Sequence, residues 1–186
     1  MYALNRNILQ TIILTVLVSI TPAIADTQQK AAIQKFDKLD GEWRGKSWRM
    51  TKDGEKIEFI QTERVGSFLG GDIKMIEGRG YSLEGDLNFN ALGIISYDPN
   101  NHAYNFRTYA MGRSGDYPMQ VTDDGFKWEI KTPSATILYT ATIKEDTWHE
   151  IGQRIVENQP PFTFIELNLK RIGEPSWPAD GFVTIE

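Results

Sequence analysis

From Gly41 onward, apolar and polar residues alternate along the chain with a period of two. Phe126, Trp128 and Ile130 alternate with Lys127, Glu129 and Lys131, the signature of a strand with one buried face. Ile57 and Phe59 alternate with Lys56 and Glu58, and Ile165, Leu167 and Leu169 with Glu166, Asn168 and Lys170. Ile137, Tyr139, Ala141 and Ile143 alternate with Thr136, Thr140 and Thr142, with Leu138 out of step. Between the runs lie Lys52-Asp53-Gly54, Gly70-Gly71, Asp98-Pro99-Asn100-Asn101, Asp123-Asp124-Gly125 and Lys144-Glu145-Asp146, all with the chemistry of tight turns. The spacing predicts about nine or ten hairpin-linked strands. The fold class is therefore all-β: an antiparallel up-and-down β-barrel of about 8–10 strands, since closure removes exposed edges.

Before Gly41 the period changes. Over 26–40, Ala32, Ile33, Phe36 and Leu39 fall on one helical stripe, with Gln28, Lys30, Lys35 and Lys38 mostly off it. This predicts one N-terminal capping helix, started by Asp26 or Thr27, ended by Gly41, and covering one end of the barrel. The barrel then spans 41–172. Within it, Tyr81–Asn90 and Gly112–Pro118 are irregular and read as loops. The segment 173–186 is rich in Pro and Gly. It reads as an extended tail, either a strap anchored by Trp177 or a mobile terminus.

The first 25 residues belong to neither element. Arg6 precedes an apolar run from Ile8 to Ile20, and Ala23 and Ala25 supply small residues before a cut after Ala25. That order is a cleavable signal peptide over 1–25; at about 13 residues the run is short for a membrane span. Removing it leaves 161 of 186 residues and changes the formal charge from −5 to −6. The expectation is an exported protein, periplasmic or secreted. With no Cys anywhere, it holds together without disulfides. An acidic chain with no basic run gives no reason to expect nucleic acid as partner, and no stable membrane insertion is expected. The sequence leaves the oligomeric state open.

Leu39-Asp40-Gly41-Glu42-Trp43-Arg44-Gly45 opens the first strand directly after the helix. Gly-x-Trp in this place resembles the opening of lipocalin-like (calycin-type) barrels. The wider pattern resembles a family of bacterial exported barrels of unassigned function. It includes Phe68-Leu69-Gly70-Gly71, Gly93-Ile94-Ile95-Ser96-Tyr97-Asp98, Tyr104, and the closing stretch Phe164 to Arg171. The resemblance implies that Trp43 packs across the closed end against Arg171, the barrel-closing pair. It carries over no catalytic residue. The tail after Arg171 departs from the pattern.

If Trp43 points inward, strand parity turns Gly45, Ser47 and Arg49 inward as well. Phe106, Thr108, Trp128 and Tyr139 are the other inward candidates. Aromatic walls with a few polar groups are the usual form of a small-molecule pocket, so Ser47, Arg49, Phe106, Thr108, Trp128 and Tyr139 are the ligand-binding candidates. The expected ligand is small and partly apolar. Arg49 is expected either to pair with an inward carboxylate or to meet an anionic head group. The alternatives are a hydrolase or isomerase working through lumen carboxylates or His149, and an envelope-interaction module with a filled core and exposed Phe162 and Phe164. Parity puts Glu58, Glu129 and Glu166 on the outer face and leaves Glu63, Glu77 and Glu150 as possible inward acids. A zinc site would need His149 to recruit carboxylates from neighbouring strands, and nothing in the spacing points to it; either His is available as a haem ligand, and no metal or cofactor is assigned. Ser114 has no evident base nearby, and no catalytic residue is assigned.

Overall fold

The structure, a computed structural model, describes residues 22–175. Most of the expected signal peptide, and the tail from 176 with Trp177, lie outside the described residues. An α-helix, α1 (Pro22–Ile33), continues into a 3₁₀ segment, Gln34–Leu39. Ten strands follow: β1 (Gly41–Met50), β2 (Lys56–Phe68), β3 (Ile73–Tyr81), β4 (Leu87–Asp98), β5 (Ala103–Ala110), β6 (Arg113–Val121), β7 (Gly125–Thr132), β8 (Ala135–Lys144), β9 (Thr147–Ile155) and β10 (Phe162–Gly173). Each pairs antiparallel with its chain neighbours, and β1 pairs with β10 to close the barrel. No described helix is long and apolar enough to cross a membrane. The outer wall carries ion pairs such as Lys46–Glu58 and Arg107–Asp116.

The expected N-terminal helix is present, as an α-helix from Pro22 that tightens to 3₁₀ after Ile33. Two expectations of loops are corrected. Gly112–Pro118 is mostly the first half of β6 rather than a loop. Pro118 is tolerated because β6 pairs with β7 only through Met119, Gln120 and Val121, so the missing N–H falls where that ladder has ended. Tyr81–Asn90 is a short turn bounded by the end of β3 and the start of β4.

The alternation of hairpins gives the barrel two unlike ends. The β2–β3, β4–β5, β6–β7 and β8–β9 turns share one end with the helix, and the other five hairpins form the opposite mouth. Ile33, Phe36 and Leu39 are buried with Trp43, Val65, Ile95, Phe126, Trp148 and Leu169. The helix stripe thus plugs one end and leaves the lumen above it.

Candidate functional site

The closed end explains the Gly-x-Trp sequence. Trp43 is fully buried, and its indole N–H donates to the Leu39 carbonyl at 2.8 Å. The Arg171 guanidinium lies 4.2 Å from the ring centroid. It also donates to the Asp40 and Lys38 carbonyls, tying strand β10 to the end of the helix. Gly41 has φ +137°, and a Cβ there would come within 2.6 Å of Arg171, so no other residue fits beside the guanidinium. Gly45 lets β1 approach β10 closely, since a Cβ would stand 1.8 Å from the Asn168 carbonyl oxygen. A second latch was not foreseen. Lys74 of β3 is fully buried and reaches Asp40 at 2.7 Å, Asp37 at 2.9 Å and the Ser67 hydroxyl at 2.7 Å.

Above the plug, inward positions alternate between large side chains and glycine. A Cβ on Gly93 would strike the Phe106 ring, one on Gly115 the Tyr117 hydroxyl, and one on Gly152 would meet Tyr139, Phe164 and Ile165. The glycines thus leave room on the inner face for the neighbouring rings. Trp128 stacks on Tyr139 at 4.2 Å and meets Phe106 at 5.1 Å and Tyr117 at 5.5 Å. Trp128, Tyr139, Tyr117 and Thr108 keep intermediate exposure despite facing inward. Tyr117 and Trp128 flank the seam where the β6–β7 ladder stops.

The lumen also holds two acids. Glu63 on β2 and Glu150 on β9 are both 8 % exposed. Gln61 Nε2 donates to Glu63 at 2.6 Å, and the Trp148 indole donates to Glu150 at 3.1 Å; Trp128 donates to Glu150 as well. Gly78 makes room for Glu63, whose carboxyl oxygens would sit 2.8 Å from a Cβ there. Burial pushes Glu63 up to about 8, against the pull of Gln61, and the nearby Glu150 carboxyl adds to the rise. Burial likewise raises Glu150 to about 7, although the indoles of Trp148 and Trp128 and His149 favour its charged form. Tyr139 is pushed to about 12 by burial, with Glu150 and Tyr117 contributing. Ser47 on β1 is 3 % exposed, and its hydroxyl makes no hydrogen bond to any described residue. Trp48 pairs with Glu166 and Leu167 with Glu150, so Ser47 and Glu150 flank β10 at about the same height.

The remaining candidates are distributed as follows. Phe106, Thr108, Trp128 and Tyr139 line the lumen together with Ser47. Arg49 has inward parity but is exposed near the end of β1, at the mouth. Arg49 is therefore not a buried cation, and among the described residues no ion pair holds it. Glu77 faces outward: hydrogen bonds from Arg79 and Arg64 hold it below the usual range even though partial burial opposes them. It borders an open groove of about 720 Å³ on the outer wall. His149 is also outward, 2.9 Å from Glu166, which receives the Trp48 indole as well; both bonds hold Glu166 low. His102 sits in the β4–β5 turn beside Tyr97, and Ser114 is exposed. Phe162 is exposed, whereas Phe164 is turned inward against Tyr139 by a bulge between Thr163 and Ile165. Among the described residues, no group of three or more His, Cys, Asp or Glu is arranged to hold a metal. Sequence parity kept Glu63 and Glu150 but passed over Gln61 and Tyr117. Gln61 sits two residues before Glu63 on the strand that Ile57 and Phe59 had already phased, which is the signal that would have found it.

No family model matches the chain, and no curated protein matches it. Among solved structures it is similar to the crystal structure of Rv2717c from M. tuberculosis, with 14% sequence identity and a TM-score of 0.58. That similarity covers 76% of this chain and 97% of the other. At that identity the likeness is one of fold alone.

Proposed function

We propose that this chain is an exported barrel of the lipocalin-like kind that holds a small, partly apolar ligand in its lumen. The observation that carries the reading is the Ser47 hydroxyl, buried without a partner among the described residues on the barrel's inner face. A buried hydroxyl left unpaired costs about 1–3 kcal/mol; a ligand or a lumen water removes that cost. The rings supply the apolar surface and the acids, amide and hydroxyls the orienting contacts, the usual division of labour in a ligand pocket. Native mass spectrometry on protein purified from its own host tests this. The reading predicts a co-purifying small mass. A bare protein mass, unchanged by exposure to small apolar compounds, contradicts it.

A second reading, acid–base chemistry on a bound substrate, is favoured by the two acids sharing one lumen. It predicts turnover that rises and falls around neutral pH and is lost in Glu150→Gln. An ester and isomerase screen that stays flat in wild type eliminates it.

A further inference from the structure

The deep lumen contains acids and no base. Glu63 and Glu150 face it with no described Lys or Arg in an ion pair with either, and His149, which favours the charged form of Glu150, lies on the outer face. Lys74 is engaged by Asp37, Asp40 and Ser67. Arg49, Arg113 and Arg154 share inward parity but lie exposed at the mouth, where salt screens them. The indole N–H of Trp128, whose ring stacks on Tyr139, reaches Glu150, and aromatic rings attract cations. The unpartnered Ser47 hydroxyl adds an acceptor at the height of Glu150.

Building on the ligand-binding reading above, we propose that the lumen ligand is an organic cation: a protonated amine on a small aromatic or alkyl body. Its ammonium sits among Glu150, Glu63 and the Ser47 hydroxyl, and its apolar part lies against Trp128 and Tyr139. A carboxylate that is desolvated without a counter-ion is unfavourable, and the ligand supplies the missing charge.

The groups around the two acids fix the accompanying protonation change. Glu63 meets Gln61 on its own strand, Trp43 on β1, Gly78 on β3 and Glu150 across the lumen, with Glu77 on the outer face of β3. Glu150 meets Trp148 and His149 on β9, Trp128 on β7 and Tyr139 on β8. With no cation beside them, both acids hold their protons near pH 6. An arriving ammonium ionises one of them, and that proton leaves to solvent. A neutral ligand displaces none.

The test titrates the purified protein with phenethylamine, phenethyl alcohol and hydrocinnamate by calorimetry, in buffers of different ionisation enthalpy. The expected result is binding of the amine about tenfold or more tighter than the alcohol, with release of about one proton per amine near pH 6. In Glu150→Gln, and independently in Glu63→Gln, the preference for the amine shrinks severalfold while alcohol binding persists. Thermal melts establish that each variant is folded. Two results overturn the cation assignment and leave ligand binding standing: the alcohol or the carboxylate binding at least as tightly as the amine, or amine binding without proton release. No heat from any of the three overturns the assignment, and the ligand-binding reading then rests on the native mass alone.

Discussion

Replacing Glu63 by Gln removes one titrating group and keeps its shape. In the folded chain Glu63 holds its proton up to about pH 8, against an ordinary value of 4.5. The folded state therefore binds more protons than the unfolded state between those limits. Its contribution is fully present below about pH 4.5 and is lost as pH rises toward 8. At 1.36 kcal/mol per pH unit, the loss between about pH 5 and pH 8 is about 3–4 kcal/mol. For a domain of this size that corresponds to a fall in Tm of about 10 °C. Groups held low, such as Glu77 and Glu166, lose their contributions only below their ordinary range and do not enter this window. Melting curves by circular dichroism across about pH 5 to pH 8 then separate wild type from variant. Wild type falls steeply; Glu63→Gln falls less, keeping the smaller slope due to Glu150, and is the more stable protein at about pH 8. Parallel curves in the two proteins would refute the burial of this carboxyl in the lumen.

The plug and the outer wall give further expectations. Arg171→Met strips Trp43 of its cation and leaves the Lys38 and Asp40 carbonyls short of a donor; chemical denaturation is expected to show a loss of about 2–4 kcal/mol. Asp40→Ala leaves the buried Lys74 ammonium to Asp37 and Ser67 and is expected to cost about 2–3 kcal/mol, more than Asp37→Ala, because Asp37 is the more exposed partner. His149→Ala acts on the outer face, so its stability is expected to stay within about 1 kcal/mol of wild type, and lumen binding measured by calorimetry is expected not to change. Arg49→Ala, at the exposed mouth, is expected to stay within about 0.5 kcal/mol by thermal melt.

The barrel was legible because alternation survives in most strands, and because the helix stripe of Ile33, Phe36 and Leu39 needs a covered end. The closing pair was legible from Gly41, Trp43 and Arg171 together. Height along the lumen was not. Parity says that Arg49 and Glu63 both point inward, but the stagger of paired strands decides that one meets solvent and the other does not. Lys74 shares the inward parity of Ile76, but alternation does not show that the helix brings Asp37 and Asp40 against it. Strand β6 read as a loop because Gly115, Asp116 and Pro118 lack apolar alternation. Its partner β5 holds it along its length, and the β7 seam releases it before the proline. Phe164 misled because a bulge turns two consecutive residues, Phe164 and Ile165, to the same side.

The account rests on a lumen that small molecules enter. The indole N–H signals of the tryptophans in a labelled sample report on it directly, because Trp128 and Trp148 face the acids inside while Trp48 is bonded to Glu166 outside. On adding phenethylamine or phenethyl alcohol, the account predicts saturable shifts of the Trp128 and Trp148 signals with Trp48 unmoved. Shifts confined to Trp48, or no shift at Trp128 and Trp148 with either compound, would contradict it.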